Sequence, residues 1–351
     1  MIPFVDQILG RFSQDLGIDL GTVNTVISVK GKGIVIREPS IVTLHKKTRK
    51  VLAIGTDAKK MLGRTPANIS VVRPMKEGVI SDYDTTLAML SHFVKKIHTV
   101  PGRRFNIARP KVVIGIPSNV SEVERRALLD VASASGAREA YLVEEPIAAA
   151  IGAGLPVDEP VGSMIVDIGG GTCEIAVISL SGIVVGRSLK IAGDVMDGEI
   201  INYIRSRYAL AVGEKTAEDV KIALGSAGGM QIEKEMIIRG RDLEKGLPKS
   251  IKLSSVQVRE ALASTLNQIV AAVKDTIHDA PPELASDIAE RGIVICGGGA
   301  QIYGLAKLVS AETRMPVTVA DDPLYCVVKG CLSLLENDDL LEKVKIAKLA
   351  G

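Results

Sequence analysis

The sequence predicts an α/β protein made of two related halves that face each other across a cleft. Three observations predict it. One plan is written twice, in GIDLGTVNTVISV (Gly17 to Val29) and IVDIGGGTCEIAV (Ile165 to Val177). Each copy runs an apolar strand into an aspartate, then an apolar residue, a glycine, a threonine-containing turn and a second β-branched strand. After each copy, strands alternate with helices. A third glycine turn, CGGGAQIYG (Cys296 to Gly304), again follows an apolar strand, and ligands of α/β sheets sit at such strand ends.

Size and composition bound the reading. A chain of 351 residues is long enough for two α/β domains. Hydrophobic content of 46% with 24% charged residues describes a globular protein. Basic and acidic residues nearly balance, 43 against 41, so no nucleic-acid partner is expected. Cys173, Cys296, Cys326 and Cys331 form no CxxC pair and read as reduced, buried thiols of a cytoplasmic protein. The four histidines form no HExxH, which argues against a histidine-metal site. The longest charge-free run, Gly292 to Ala306, is glycine-rich and shorter than the about 20 apolar residues a membrane span needs. The cytoplasm is the expected compartment.

The elements follow in order. The first hairpin is followed by a strand-like, turn-rich stretch from about Ile34 to Ile80, read as an inserted subdomain. KVVIGIP (Lys111 to Pro117) is a buried strand. Ser121 with Glu124 then forms a capping box, and Val123, Ala127, Leu128 and Val131 are expected on one helical face. EAYLVEEP is the next strand, and PIAAAIGAG a helix with Pro146 in its first turn. In the second half, GEIINYIRSRYAL, TAEDVKIALGSA and VQVREALASTLNQIVAAVKDTI read as helices. The polar region from about Gly225 to Leu253 reads as a matching small insertion. A largely parallel sheet is expected.

The chemistry lies in the turns. A tight hairpin alone would explain three glycines in DIGGGT, but not Asp167, a charge at the end of an apolar strand. A phosphate with its divalent cation explains both, because glycine lets backbone N–H groups close on an anion. Asp19, in DLGTVNT, occupies the equivalent place in the first copy, with Thr22, Asn24 and Thr25 beside it. The two aspartates are therefore expected to face a magnesium ion through waters. The third turn would let the backbone approach a flat group such as adenine.

This combination resembles the actin, Hsp70 and sugar-kinase ATPase superfamily. Its phosphate-1 pattern matches residues 19–25, its phosphate-2 pattern 167–172 and its adenosine pattern 294–304. IDLGTVNT, KGKGIVIREPSIV, MLGRTPANISVVRPMKEGVISDYD, VERRA, EEPIAAAIGAGLP, DIGGGTCEIAVISL, GEKTAEDVK and PPELASDIAERGI further resemble the MreB family, the bacterial actin-like proteins that organise cell-wall synthesis. The likeness runs from about residue 17 to 330. Val23 stands where that family usually has alanine, and Cys173 where it usually has threonine.

The resemblance implies an actin-like ATPase fold of duplicated α/β domains with a central nucleotide cleft and two small inserted subdomains. The first domain would span residues 16–152, with its insertion at about 34–80, and be completed by 326–351. The second would span 153–325, with its insertion at about 191–255. ATP with Mg2+ would be held by Gly21, Thr22, Val23, Asn24 and Thr25, and by Gly169, Gly170, Gly171 and Thr172. Glu218, Asp219, Val220 and Lys221 would bracket the ribose and adenine, together with Gly298, Gly299, Ala300 and Gln301. For Glu218 and Lys221, three apart on a helix, the alternative is a surface ion pair. Asp19 and Asp167 would serve the metal, and Asp167 and Glu145 catalysis, with Glu145 aiming the attacking water. The alternative is that Glu145 merely favours the start of the helix opening at Pro146.

Family likeness further implies head-to-tail filaments paired side by side, with Val123 in the lateral contact and membrane proteins of wall synthesis as partners. Packing of that helix on its own domain is the competing reading. In MIPFVDQILGRFSQ, Phe4, Val5, Ile8, Leu9 and Phe12 share one helical face, which predicts a membrane-binding helix over residues 1–15. Phe105, among arginines in VPGRRFNIARP, is a second candidate anchor. The protein would then sit on the inner face of the cytoplasmic membrane. The rival readings are a hydrophobic clasp for the helix and, for the whole chain, a non-polymerising ATPase, a small-molecule kinase, or a segregation or division filament of the same fold.

Overall fold

Two mixed β-sheets, each built on one copy of the repeated hairpin, organise the chain. The computed structural model describes residues 13–99 and 109–349. Phe4, Val5, Ile8, Leu9, Phe12 and Phe105 lie outside the described residues. The first half holds β1 (Leu16–Leu20), β2 (Asn24–Val29), β3 (Gly33–Pro39), β4 (Val42–His45), β5 (Val51–Ile54), β6 (Ile69–Val72), β7 (Met75–Lys76), β8 (Val79–Ile80), β9 (Lys111–Ile116) and β10 (Glu139–Glu144). The second holds β11 (Ser163–Ile168), β12 (Cys173–Ser179), β13 (Gly182–Leu189), β14 (Leu210–Ala211), β15 (Glu235–Asp242), β16 (Pro248–Ser254), β17 (Ile293–Cys296) and β18 (Val317–Val319). The last strand, β19 (Lys345–Leu349), returns to the first sheet.

The sheets share one topology. Their strand orders are β19-β10-β9-β1-β2-β3 and β13-β12-β11-β17-β18. In each, an antiparallel three-strand meander (β1 to β3, β11 to β13) is extended by parallel strands on the other side, β9 and β10 in the first sheet and β17 and β18 in the second, with β19 antiparallel at the first sheet's edge. The expected largely parallel sheet is thus corrected to a mixed one, because the tight turns that carry the glycines can join only antiparallel neighbours. The register repeats too. Leu20 pairs with Thr25 and Ile168 with Cys173, which leaves Asp19 and Asp167 one residue from the tip of each first strand.

Two expectations shift at the edges. Strand β3 pairs with β2 and belongs to the large sheet, so residues 34–39 are not part of the insertion. The small sheet beyond them is β5-β4-β6. The helix Glu122–Ala134 begins with the expected capping box at Ser121 and Glu124, yet Val123 is 79% exposed. Its buried stripe is Leu128, Val131 and Ala132, and Val123 stands roughly 130° round the helix from the middle of it at 100° per residue.

Three apolar clusters fill the molecule. One lies in each half, around Ile18, Phe93 and Ile114 in the first and around Val166, Ile200 and Ile269 in the second. The third joins them: Val113 and Val143 of the first sheet meet Ile165 and Ala176 of the second through the helices Glu145–Gly152 and Cys326–Glu336. This shared core faces the two hairpin tips toward each other. Among the described residues, no helix is long and apolar enough to cross a membrane.

Candidate functional site

The hairpin tips meet at a cleft of about 850 Å³ between the halves. Their contact explains the glycines. A Cβ on Gly170 would lie 2.1 Å from Val23 Cγ2, and one on Gly171 would lie 2.4 Å from Thr22 Oγ1. Only hydrogen fits at either position. Thr22 Oγ1 also accepts the Gly78 N–H at 2.9 Å, tying the β7–β8 turn to the tip. In the other tip, Gly169 N–H donates to Thr172 O at 2.9 Å. Helix Gly193–Tyr208 docks its start on the same turn, with Gly193 N–H donating to Gly169 O and Asp194 N–H to Gly170 O at 2.8 Å. A helix start and two glycine tips converge on one space, an arrangement suited to an anion.

The predicted residues divide by position. Asp19, Gly21, Thr22, Val23 and Asn24 line the cleft, as do Gly169, Gly170, Gly171 and Thr172, and Glu145 and Asp167 stand at its floor. Thr25 does not line it. Its side chain is fully buried behind the turn, within 2.9 Å of the Ser40 hydroxyl, which in turn donates to Gly21 O at 2.6 Å. On helix Glu214–Leu224, Glu218 and Lys221 face the cleft, while Val220 points into the core and Asp219 turns outward to Lys215. In the third turn Gly298, Gly299 and Gln301 line the cleft and Ala300 is buried beside them. Gly297, at φ +78°, is required for packing: a Cβ there would lie 2.3 Å from Ile168 O and 2.4 Å from Asp167 Oδ1.

Glu218 and Lys221 do not pair with each other. Lys221 Nζ donates to Gly193 O at 2.8 Å and bridges Asp197 at 2.9 Å. Glu218 reaches across the cleft to Lys59. Sequence reasoning missed Lys59, Arg73, Gly193, Asp194 and Asp197, all cleft-lining. Asp194 and Asp197, three apart at a helix start after a glycine, carry a visible signal. Lys59 and Arg73 carry none, since only folding brings the insertion over the cleft.

Electrostatics set the site apart. Burial, then the charge of Asp167, holds the Asp19 carboxyl up to about 7. Burial holds Asp167 up to about 6. Glu145 is pushed well above the usual carboxylate range by burial, then by Glu174, Asp19 and Asp167. Glu174, a residue the sequence reading did not single out, is held up to about 7 by burial, although Ser188 Oγ donates to it at 2.5 Å. Among the described residues, no three His, Cys, Asp or Glu side chains converge as a metal-ligand set. Asp19 and Asp167, buried carboxylates lining the cleft, are the donors available to a cation there. Of the tandem glutamates, Glu145 lines the cleft and Glu144 does not; its half-buried carboxyl is hydrogen-bonded to Ser118.

The comparisons agree on one family. The profile of the MreB/Mbl protein family matches residues 13–343. The chain is 50% identical over 335 residues to the cell shape-determining protein MreB of Escherichia coli strain K12, covering 94% of this chain and 96% of that one. Its fold matches the crystal structure of MreB5 of Spiroplasma citri bound to ADP, with a TM-score of 0.88 and 38% identity, covering 95% of this chain and 98% of that one. The same protein bound to AMPPNP matches with a TM-score of 0.87 and 39% identity, covering 93% and 97%.

Proposed function

Because this chain belongs to the MreB/Mbl family, we propose that it binds ATP with Mg2+ in the cleft, hydrolyses it slowly, and polymerises into membrane-associated filaments that maintain cell shape by organising wall synthesis. The observation that carries the nucleotide reading is the meeting of two equivalent glycine tips, each with its aspartate, in one cleft. Two MreB structures of the same fold hold ADP and AMPPNP, which supports it.

The roles follow from position. Backbone N–H groups of residues 21–23 and 170–172 would hold the phosphates, and Lys221 and Glu218 the nucleoside end. Magnesium, when bound, would supply charge neutralisation beside Asp19 and Asp167. Glu145, at the cleft floor, would accept a hydrogen bond from the attacking water and aim it, since phosphoryl transfer depends mostly on positioning and electrostatics. The filament would take head-to-tail copies of this chain and pair them through the helix that carries Val123. Residues 1–15 and Phe105 would hold it to the inner face of the cytoplasmic membrane, many weak anchors acting by avidity.

Asp167→Ala tests the site. Binding of a fluorescent ATP analogue should lose its magnesium dependence and phosphate release should stop. Wild-type turnover by this variant would overturn the assignment.

A further inference from the structure

Asp197 and Lys221 form a polar pair on the second half's wall of the cleft, and Asp197 has no task in the chemistry above. Lys221 Nζ stands 2.9 Å from Asp197 Oδ1 and donates to Gly193 O at 2.8 Å. The Lys221 side chain is 17% exposed and that of Asp197 15%, and both line the cleft. Each has bonding capacity to spare. An ammonium carries three N–H donors, and Lys221 has one carbonyl and one carboxylate beside it. Asp197 Oδ1 is buried and takes part in the ion pair without accepting a hydrogen bond. A spare donor beside a spare acceptor suits a hydroxyl, which both gives and takes. The neighbouring carboxylates are committed elsewhere, Glu218 to Lys59 and Glu214 to Arg73, each on the opposite rim. Asp197 and Lys221 come from two helices of one half, so their pair needs nothing from that rim.

Helix Gly193–Tyr208 fixes where along the cleft the pair stands. Gly193, Asp197 and Ile201 all line it, four residues apart in turn and therefore on one helical face. Gly193 sits on the glycine tip, where its N–H donates to Gly169 O. Asp197 lies one turn farther on, about 6 Å along the axis at about 1.5 Å per residue. Ile201 follows a turn later, and Ile302 and Gln301 of the third glycine turn line the same cleft. Along this face the wall changes from an anion-binding backbone to a charged pair and then to an apolar side chain. A nucleotide has that order in its phosphates, sugar and base.

From this placement we propose that Asp197 is a specificity-determining residue that, with Lys221, recognises the vicinal hydroxyls of the sugar, so that the cleft selects nucleotides carrying an intact ribose. The inference rests on the nucleotide reading and deepens it. The Asp197 carboxylate accepts from the sugar hydroxyls, and Lys221 donates its remaining N–H to one of their oxygens. A sugar without hydroxyls leaves both side chains desolvated and without that partner. A site built to bond a hydroxyl rejects the analogue lacking it for this reason.

The test is a cycle of two ligands against wild type and variants of the full chain, read as dissociation constants by titration calorimetry with Mg2+ present. The ligands are ATP and 2′,3′-dideoxy-ATP, which lacks both sugar hydroxyls. Wild type should bind ATP about tenfold or more tightly than the dideoxy analogue, the scale of a hydrogen bond to a charged group. In Asp197→Ala that ratio should fall severalfold, with ATP weakened and the analogue little changed, because side chain and hydroxyl are coupled. Asp197→Asn keeps the shape of the side chain and removes its charge, so it should also lower the ratio if the bond is charge-assisted. Equal weakening of both ligands in the two variants, with the ratio kept, would make Asp197 a support for Lys221 and overturn the proposal. Equal affinity of wild type for the two ligands would overturn it while leaving the nucleotide reading in place. Binding of neither ligand by folded wild type would overturn both.

Discussion

Lys59 and Glu218 meet across the cleft, with Nζ 2.7 Å from one carboxylate oxygen and 3.0 Å from the other. They come from opposite insertions, Lys59 from helix Thr56–Met61 and Glu218 from helix Glu214–Leu224. Two more pairs span the same gap, Arg73 with Glu214 at 3.1 Å and Lys190 with Glu77 at 2.7 Å. All are partly or largely exposed, so each is weak in water and screened by salt. All three link the two rims of the cleft. Lys59→Ala should accelerate release of a bound fluorescent nucleotide a few-fold, and raised salt should narrow the difference from wild type. Equal release rates at low salt would show that the pair does not hold the cleft.

The contact between Val23 and Gly170 permits a sharper test. Gly170→Ala would place a methyl 2.1 Å from Val23 Cγ2, an overlap costing about 1–3 kcal/mol. The variant should bind nucleotide weakly and melt earlier. Adding Val23→Ala removes the closer methyl but leaves the Val23 Cβ 2.8 Å away, so it should restore part of both. Wild-type binding and melting by Gly170→Ala alone would mean that the tips are not in contact in solution.

Glu145 and Glu144 can be separated by turnover. Glu145→Gln should keep nucleotide binding and lower phosphate release about a hundredfold, the usual contribution of a positioned acceptor. Glu144→Gln should stay near wild type, because its carboxyl is engaged with Ser118 outside the cleft. The reverse pattern would exchange the assignments.

Protons should report on the buried aspartates. Burial raises Asp19 to about 7 and Asp167 to about 6, from an ordinary value of 3.8. The folded chain therefore keeps protons that the unfolded chain releases. Their stabilising contribution is complete below the ordinary value and is lost as pH rises from about 4 through 7. Metal-free protein should unfold at a lower temperature at about pH 8 than at about pH 5. Asp19→Asn or Asp167→Asn should flatten that slope in thermal melts, and an unchanged slope in both would place the titration elsewhere.

Assembly should respond to the exposed start of one helix. Val123→Glu sets a charge on a side chain that is 79% exposed and outside its helix's buried stripe, so the fold should be unaffected. Negative-stain images should then show single protofilaments. Removing residues 1–12 should separately abolish sedimentation with liposomes while ATP binding persists. Paired filaments from the first variant, or full liposome binding by the second, would remove the corresponding contact.

Local pattern alone determined the two hairpins, the capping box at Ser121, the three glycine turns and the equivalence of Asp19 with Asp167. Each depends on neighbours within a few residues, where backbone geometry dictates residue type. Tertiary structure decided the rest. Val123 and Leu128 are both apolar and five apart on one helix, yet only the packing of that helix decides that one is exposed and the other buried. Thr25 and Thr22 look alike in the sequence, but one turns to Ser40 in the core and the other to the facing tip. Glu218 appeared to belong with Lys221, and it binds Lys59, 159 residues away in the chain. Contacts between distant segments arise from how sheets and helices bury their apolar faces, and that choice is made by the whole core at once.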